Sequence, residues 1–123
     1  MMSFEQWQYA FTNGMNLEHQ KASYYALAIP ESKMIVRDTI TSVAKIDFEK
    51  PHLPLLFIAG SQDHTIPASL NRKNYRKYED ISSVTDYKEF QFANHFVLGH
   101  PCWREVSEFI LKWINVIQQK INV

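Results

Sequence analysis

With 123 residues, 46% of them apolar and only 21% charged, the chain has the composition of one folded domain and excludes a disordered segment or a two-domain protein. Thirteen basic residues balance thirteen acidic ones, so no net field favours nucleic acid or an anionic membrane surface. No apolar run is long enough for a bilayer, the start Met-Met-Ser-Phe-Glu-Gln is unlike a secretion signal, and the single Cys102 cannot form an internal disulfide, so a cytoplasmic location is expected.

Ser3 followed by Gln6 has the pattern of a capping box, and Phe4, Trp7 and Phe11 repeat at helical spacing until Asn13-Gly14 stops the run. The spacing predicts a short amphipathic helix there and a second helix over 17–27, ending before Pro30. A third is predicted over 31–41, with Ser32 as its cap and Met34, Ile35 and Val36 on its apolar side. Residues 53–59, Leu-Pro-Leu-Leu-Phe-Ile-Ala, are an apolar run without alternation, too short for a typical helix; a strand buried on both faces of a parallel sheet reads this way. The run ends at Gly60, and the loop that follows carries Asp63 and His64 and closes at Pro67.

A helix over 68–78 and an alternating strand over 86–92 complete one strand–helix–strand unit. Arg72, Lys73, Arg76 and Lys77 cluster on that helix, and with a neutral total they read as its solvated face. After the loop His95-Phe96-Val97-Leu98-Gly99, Pro101 suits the first turn of a closing helix. In it Trp103, Val106, Ile110, Trp113 or Ile114, and Ile117 form a stripe able to cover one face of the sheet.

In open α/β sheets ligands bind beyond the carboxyl ends of the strands, and both loops leave that edge. Gly60-Ser61-Gln62-Asp63-His64-Thr65-Ile66-Pro67, followed about thirty residues on by Asn94-His95-Phe96, resembles the acid and histidine loops of the α/β-hydrolase fold, with Asn94 where that family usually has Gly. The resemblance implies an α/β fold class: the C-terminal portion of an α/β-hydrolase sheet, one parallel βαβ unit plus a closing helix, preceded by lid-like helices. Residues 1–45 would be the lid-like segment and 46–123 the C-terminal part of the core. Asp63 and His95 would be the acid and the base of a Ser-Asp-His type triad, with His64, Trp7 and Phe96 binding substrate. Along the family's chain the order is nucleophile, acid, histidine, and this sequence has no Gly-x-Ser-x-Gly elbow. Nucleophile and oxyanion-hole donors are therefore expected upstream of Met1, and the chain alone is expected to be inactive.

Each residue also has a plainer reading. Asp63 alone suits a turn or a helix cap, His95 a hydrogen-bonded core position, and the aromatic residues ordinary helix packing. His64 adjoins Asp63 too closely for a relaxed hydrogen bond, so pocket lining suits it better, and His100 directly precedes Pro101. His64, His95, His100 and Cys102 match no compact zinc spacing, and nothing marks Cys102 as an activated nucleophile, so no metal and no cofactor are expected.

The strand over 53–59 should have a neighbour on each side, and only one is visible. Unpaired backbone groups on the open side cost roughly 1 to 3 kcal/mol each if buried, against a domain stability of about 5 to 15 kcal/mol. The expected partners are a small-molecule substrate once an N-terminal half completes the fold, and a complementing chain or a second copy at the sheet edge. The alternative is a noncatalytic interaction module that uses that edge or the aromatic helices.

Overall fold

The computed structural model describes residues 1–78 and 82–121. Helix α1 (Phe4–Ala10) begins with the full capping box: the Ser3 hydroxyl accepts from the Gln6 N–H, and the Gln6 side chain accepts from the Ser3 N–H. Helix α2 (Leu17–Leu27) is capped by Asn16 and returns along α1. The two are joined by the Trp7 indole N–H donating to Ser23 Oγ (3.0 Å), by Gln8 donating to Gln20 (2.7 Å), and by the rings of Phe4 and Trp7 against Tyr24. Gly14, at φ 78°, takes the left-handed conformation the turn between them requires.

Helix α3 is Lys33–Asp38, capped by Ser32 and shorter at both ends than the predicted 31–41. It buries nothing: Met34, Ile35, Val36 and, just beyond, Ile40 are all exposed. A six-residue helix whose residues are all exposed has little besides its cap, local propensity and the adjoining turn at Ser42–Ala44 to hold it, and it extends no further than Asp38.

Strand β1 (Leu55–Gly60) pairs in parallel with β2 (Thr85–Phe90), in register from Leu55 opposite Thr85 to Gly60 opposite Phe90, and α4 (Ala68–Tyr75) connects them. The sheet has these two strands among the described residues, so the fold is α/β in character. β2 stops at Phe90, not at the predicted Phe92, because the chain turns there, with the Ala93 N–H donating to Phe90 O (3.2 Å). The two faces of β1 are covered separately. Phe57 packs on Tyr75 and Tyr78 on the α4 side, while Ile58 joins Phe90, Ala93 and Val106 in the core beneath α5 (Trp103–Ile121).

On α5 the predicted stripe is realised by Val106, Ile110, Trp113 and Ile117, with the Trp113 indole donating to Asp86 Oδ2 (2.7 Å), whereas Trp103 and Ile114 are exposed. Pro101 lies in a turn before the helix instead of in its first turn. There the Trp103 N–H donates to His100 O and the Cys102 N–H to His100 Nδ1. An Arg72–Glu89 ion pair ties α4 to β2, and the Tyr87 hydroxyl donating to Glu89 (2.8 Å) holds that carboxyl below its usual pKa. No helix among the described residues is long and apolar enough to cross a membrane.

Candidate active site

Both strands of a parallel pair end at the same edge, so the loops after Gly60 and Phe90 leave side by side. They come closer than side chains at Gly60 would allow. A Cβ there would stand 2.3 Å from Ala93 O and 2.9 Å from Asn94 O. The Gln62 N–H donates to Ala93 O (2.9 Å), the Ser61 N–H to Phe90 O (3.0 Å) and the Ser61 hydroxyl to Gln91 O, which stitches the two loops together by their backbones.

Within this frame His95 Nδ1 lies 2.9 Å from Asp63 Oδ2, although 32 residues separate them. A carboxylate oxygen only accepts, so Nδ1 carries the proton, and in the neutral ring Nε2 is then a bare acceptor. The other Asp63 oxygen accepts from the N–H groups of Thr65 (2.8 Å) and Ile66 (2.7 Å), which fixes the carboxylate's direction. The Asp63 side chain is 8% exposed and that of His95 23%, so the acid is shielded while the ring remains reachable. Nε2 has no hydrogen-bond partner among the described residues, and no serine, threonine or cysteine hydroxyl or thiol is bonded to the ring.

The other predicted residues fall on two sides of this pair. Trp7 stands edge-on to Phe96 (6.1 Å between centroids) and is stacked on Phe11 (4.8 Å), whose ring meets the His95 imidazole edge-on at 4.7 Å. Trp7 and Phe11 line an apolar cavity of about 490 Å³ together with Met2, Leu27 and Ile29, with Glu31 and Lys33 among its charged lining residues. Phe96 does not line it; it lines a smaller cavity of about 270 Å³ with His19, His100 and Trp103. There, burial pushes the His100 pKa below its ordinary value. His64 points elsewhere: it is exposed, its Nδ1 is 2.9 Å from Tyr9 O, and its ring lies on Tyr9.

Sequence reading placed Phe11 among the helix aromatics, Asn13 at the stop of α1 and Asn94 where the resembled family has Gly, but gave none of them a contact with the Asp63–His95 loops. Helix α1 ends against both loops, and its last carbonyls, which have no partner within the helix, are met from there. His64 lies against Tyr9 O, the Thr65 hydroxyl donates to Ala10 O (2.8 Å) and the Phe96 N–H donates to Phe11 O (3.0 Å). Asn13 donates from Nδ2 to Gln62 O (2.8 Å), and its own carbonyl accepts from Asn94 Nδ2 (2.8 Å). Asn94 is 1% exposed. Its position where the resembled family has Gly was the one signal in the sequence.

Among the described residues no three His, Cys, Asp or Glu side chains gather where they could hold a metal ion. Cys102 is exposed, with no hydrogen bond from its thiol among the described residues. Comparison of the chain with family models, with curated proteins and with solved structures gave no match.

Proposed function

We propose that this chain carries the acid and base of a hydrolase of the α/β-hydrolase type, acting on an ester or similar bond once a nucleophile is supplied from outside these residues. The observation that carries the reading is the hydrogen bond between His95 Nδ1 and Asp63 Oδ2 at the carboxyl edge of a parallel sheet, with Nε2 left without a partner among the described residues. Asp63 holds the ring in one tautomer and stabilises the imidazolium. His95 Nε2 takes the proton of a nucleophile hydroxyl as its oxygen bonds to the substrate carbonyl carbon, then returns that proton to the leaving alcohol as the carbon–oxygen bond breaks. Water, giving a proton to the same Nε2, then bonds to the acyl carbon; the bond to the nucleophile oxygen breaks, Nε2 returns the proton to that oxygen, and the acid leaves. The apolar cavity lined by Trp7 and by Phe11, whose ring meets His95, suits an acyl or ring-bearing group, and a cytoplasmic setting suits the free Cys102.

Reading the coding DNA before the Met1 codon in three forward frames tests this. A strand–elbow–helix segment with Gly-x-Ser-x-Gly, or with Asp or Cys in the Ser position, is expected; its absence from all three frames counts against the reading. On p-nitrophenyl esters the 123-residue chain is expected to show no turnover. Turnover abolished by Asp63→Ala or His95→Ala would mean that the nucleophile is already present.

The outer edge of β1 favours a second reading, an interaction module. Leu55 N–H and Ser61 N–H bond toward β2, so by strand alternation the N–H groups of Leu56 and Ile58 face the open side. Leu56→Pro removes one outward donor and leaves the β1–β2 ladder intact. It should abolish an edge-mediated assembly measured by sedimentation, whereas His95→Ala should not; an assembly that survives Leu56→Pro rules out this version.

A further inference from the structure

We infer that Asn13 and Asn94 are positioning residues that fix the Asp63–His95 pair, an inference that rests on the catalytic reading of that pair. Asn13 bridges the residues immediately before each member: its side-chain Nδ2 donates to Gln62 O, and its backbone carbonyl accepts from Asn94 Nδ2, both at 2.8 Å. Asn94 spends its other amide atom as well, with Oδ1 accepting from the Phe96 N–H (2.9 Å), so its side chain spans the backbone on either side of His95. The contacts join segments 49 and 81 residues apart, and together they set the spacing of two loops whose separation determines whether Nδ1 and Oδ2 are within bonding reach. The amide orientation of Asn13 follows from its partner, because only the NH₂ end can face a carbonyl. Its Oδ1 is thereby left buried without a partner among the described residues. Native side chains rarely leave a buried acceptor unpaired, so this one marks an arrangement held for the contact at its other end.

The ties from Ser61 and Gln62 to Phe90 O, Gln91 O and Ala93 O join the two loops where they leave the strands, and none of them reaches Asn94 or the helix side of the pair. The Asn13–Asn94 bridge adds a second attachment on the α1 side. Loss of either amide should therefore loosen the dyad while the fold persists, and the imidazole should lose its single tautomer.

The test is long-range ¹H–¹⁵N correlation of the histidine rings in the full chain at neutral pH, with backbone amide dispersion as the folding control. Wild type is expected to show His95 with its proton on Nδ1, and Asp63→Ala, which leaves no side-chain partner for Nδ1, defines the spectrum of an unheld ring. Asn13→Ala and Asn94→Asp, which keeps the acceptor for Phe96, should each move the His95 nitrogen resonances at least half of the way toward that reference. Gln62→Ala, which keeps the backbone carbonyl, should leave them at the wild-type position. If Asp63→Ala shifts His95 and the asparagine variants do not, the positioning role is wrong and the dyad stands. If Asp63→Ala itself leaves His95 unchanged, the catalytic reading fails and takes this inference with it. Should Asn94→Asp unfold, Asn13→Ala decides alone.

Discussion

Gly60→Ala tests the claim that the close approach of the acid and histidine loops sets both stability and site geometry. The added Cβ would lie 2.3 Å from Ala93 O and 2.7 Å from Ala93 C, about 1 Å inside the 3.4 Å at which ordinary contact begins. Both atoms are backbone, so no side chain can rotate away, and the loops themselves must separate. Overpacking of this kind costs about 1 to 3 kcal/mol, and a backbone clash belongs at the upper end. For a domain of this size that lowers the melting temperature by roughly 10 °C. Thermal unfolding followed by circular dichroism measures the loss, and the His95 ring spectrum measures the displacement. A midpoint within about 2 °C of wild type, with an unchanged ring spectrum, would refute the reasoning, because overpacking against backbone should cost more than that.

Val106→Ala empties part of a fully buried site and should cost about 1 to 3 kcal/mol, whereas Val116→Ala, on the exposed side of the same helix, should change urea stability by less than about 0.5 kcal/mol. Ser3→Ala removes the capping-box acceptor of α1 and should cost about 1 kcal/mol, read from the same denaturation curves. His100 has a folded-state pKa below the ordinary 6.5, so the unfolded chain takes the proton first as pH falls. Its contribution is complete above that value and is lost as pH drops from 6.5 toward the folded pKa. The wild-type urea midpoint should therefore decline across this window, and His100→Asn, which can still accept from the Cys102 N–H, should flatten the decline; equal slopes for both proteins would reject the assignment.

What could be read in advance was what local chemistry decides. The capping box at Ser3 and Gln6 and the cap at Ser32 appear where the residues placed them, because each depends on neighbours within a few positions; the strand expected over 53–59 forms as Leu55–Gly60, with Leu53 exposed outside it. The same local rules overran where tertiary structure was needed to extend an element. Helix α3 ends at Asp38 because none of its residues is buried against the core, and β2 ends at Phe90 because the chain turns against β1's loop. On α5 the pattern could not choose between Trp113 and Ile114; the Asp86 carboxylate, which accepts from the Trp113 indole, decides it.

At the site, Asp63 and His95 were legible because loop order and strand context place them at one edge, and they stand 2.9 Å apart. Asn13, Phe11 and Asn94 were not legible in the same way. Their contacts run from side chain to distant backbone or from ring to ring, and such contacts leave no periodicity in a sequence.

The central claim, that Asp63 and His95 are the acid and base of a hydrolytic triad, is tested most directly by p-nitrophenyl ester hydrolysis in the polypeptide extended through its upstream coding sequence. The account predicts turnover in the extended protein, with kcat reduced roughly 10⁴-fold or more by Asp63→Ala and further still by His95→Ala. Turnover that persists at the wild-type rate in both variants would contradict it.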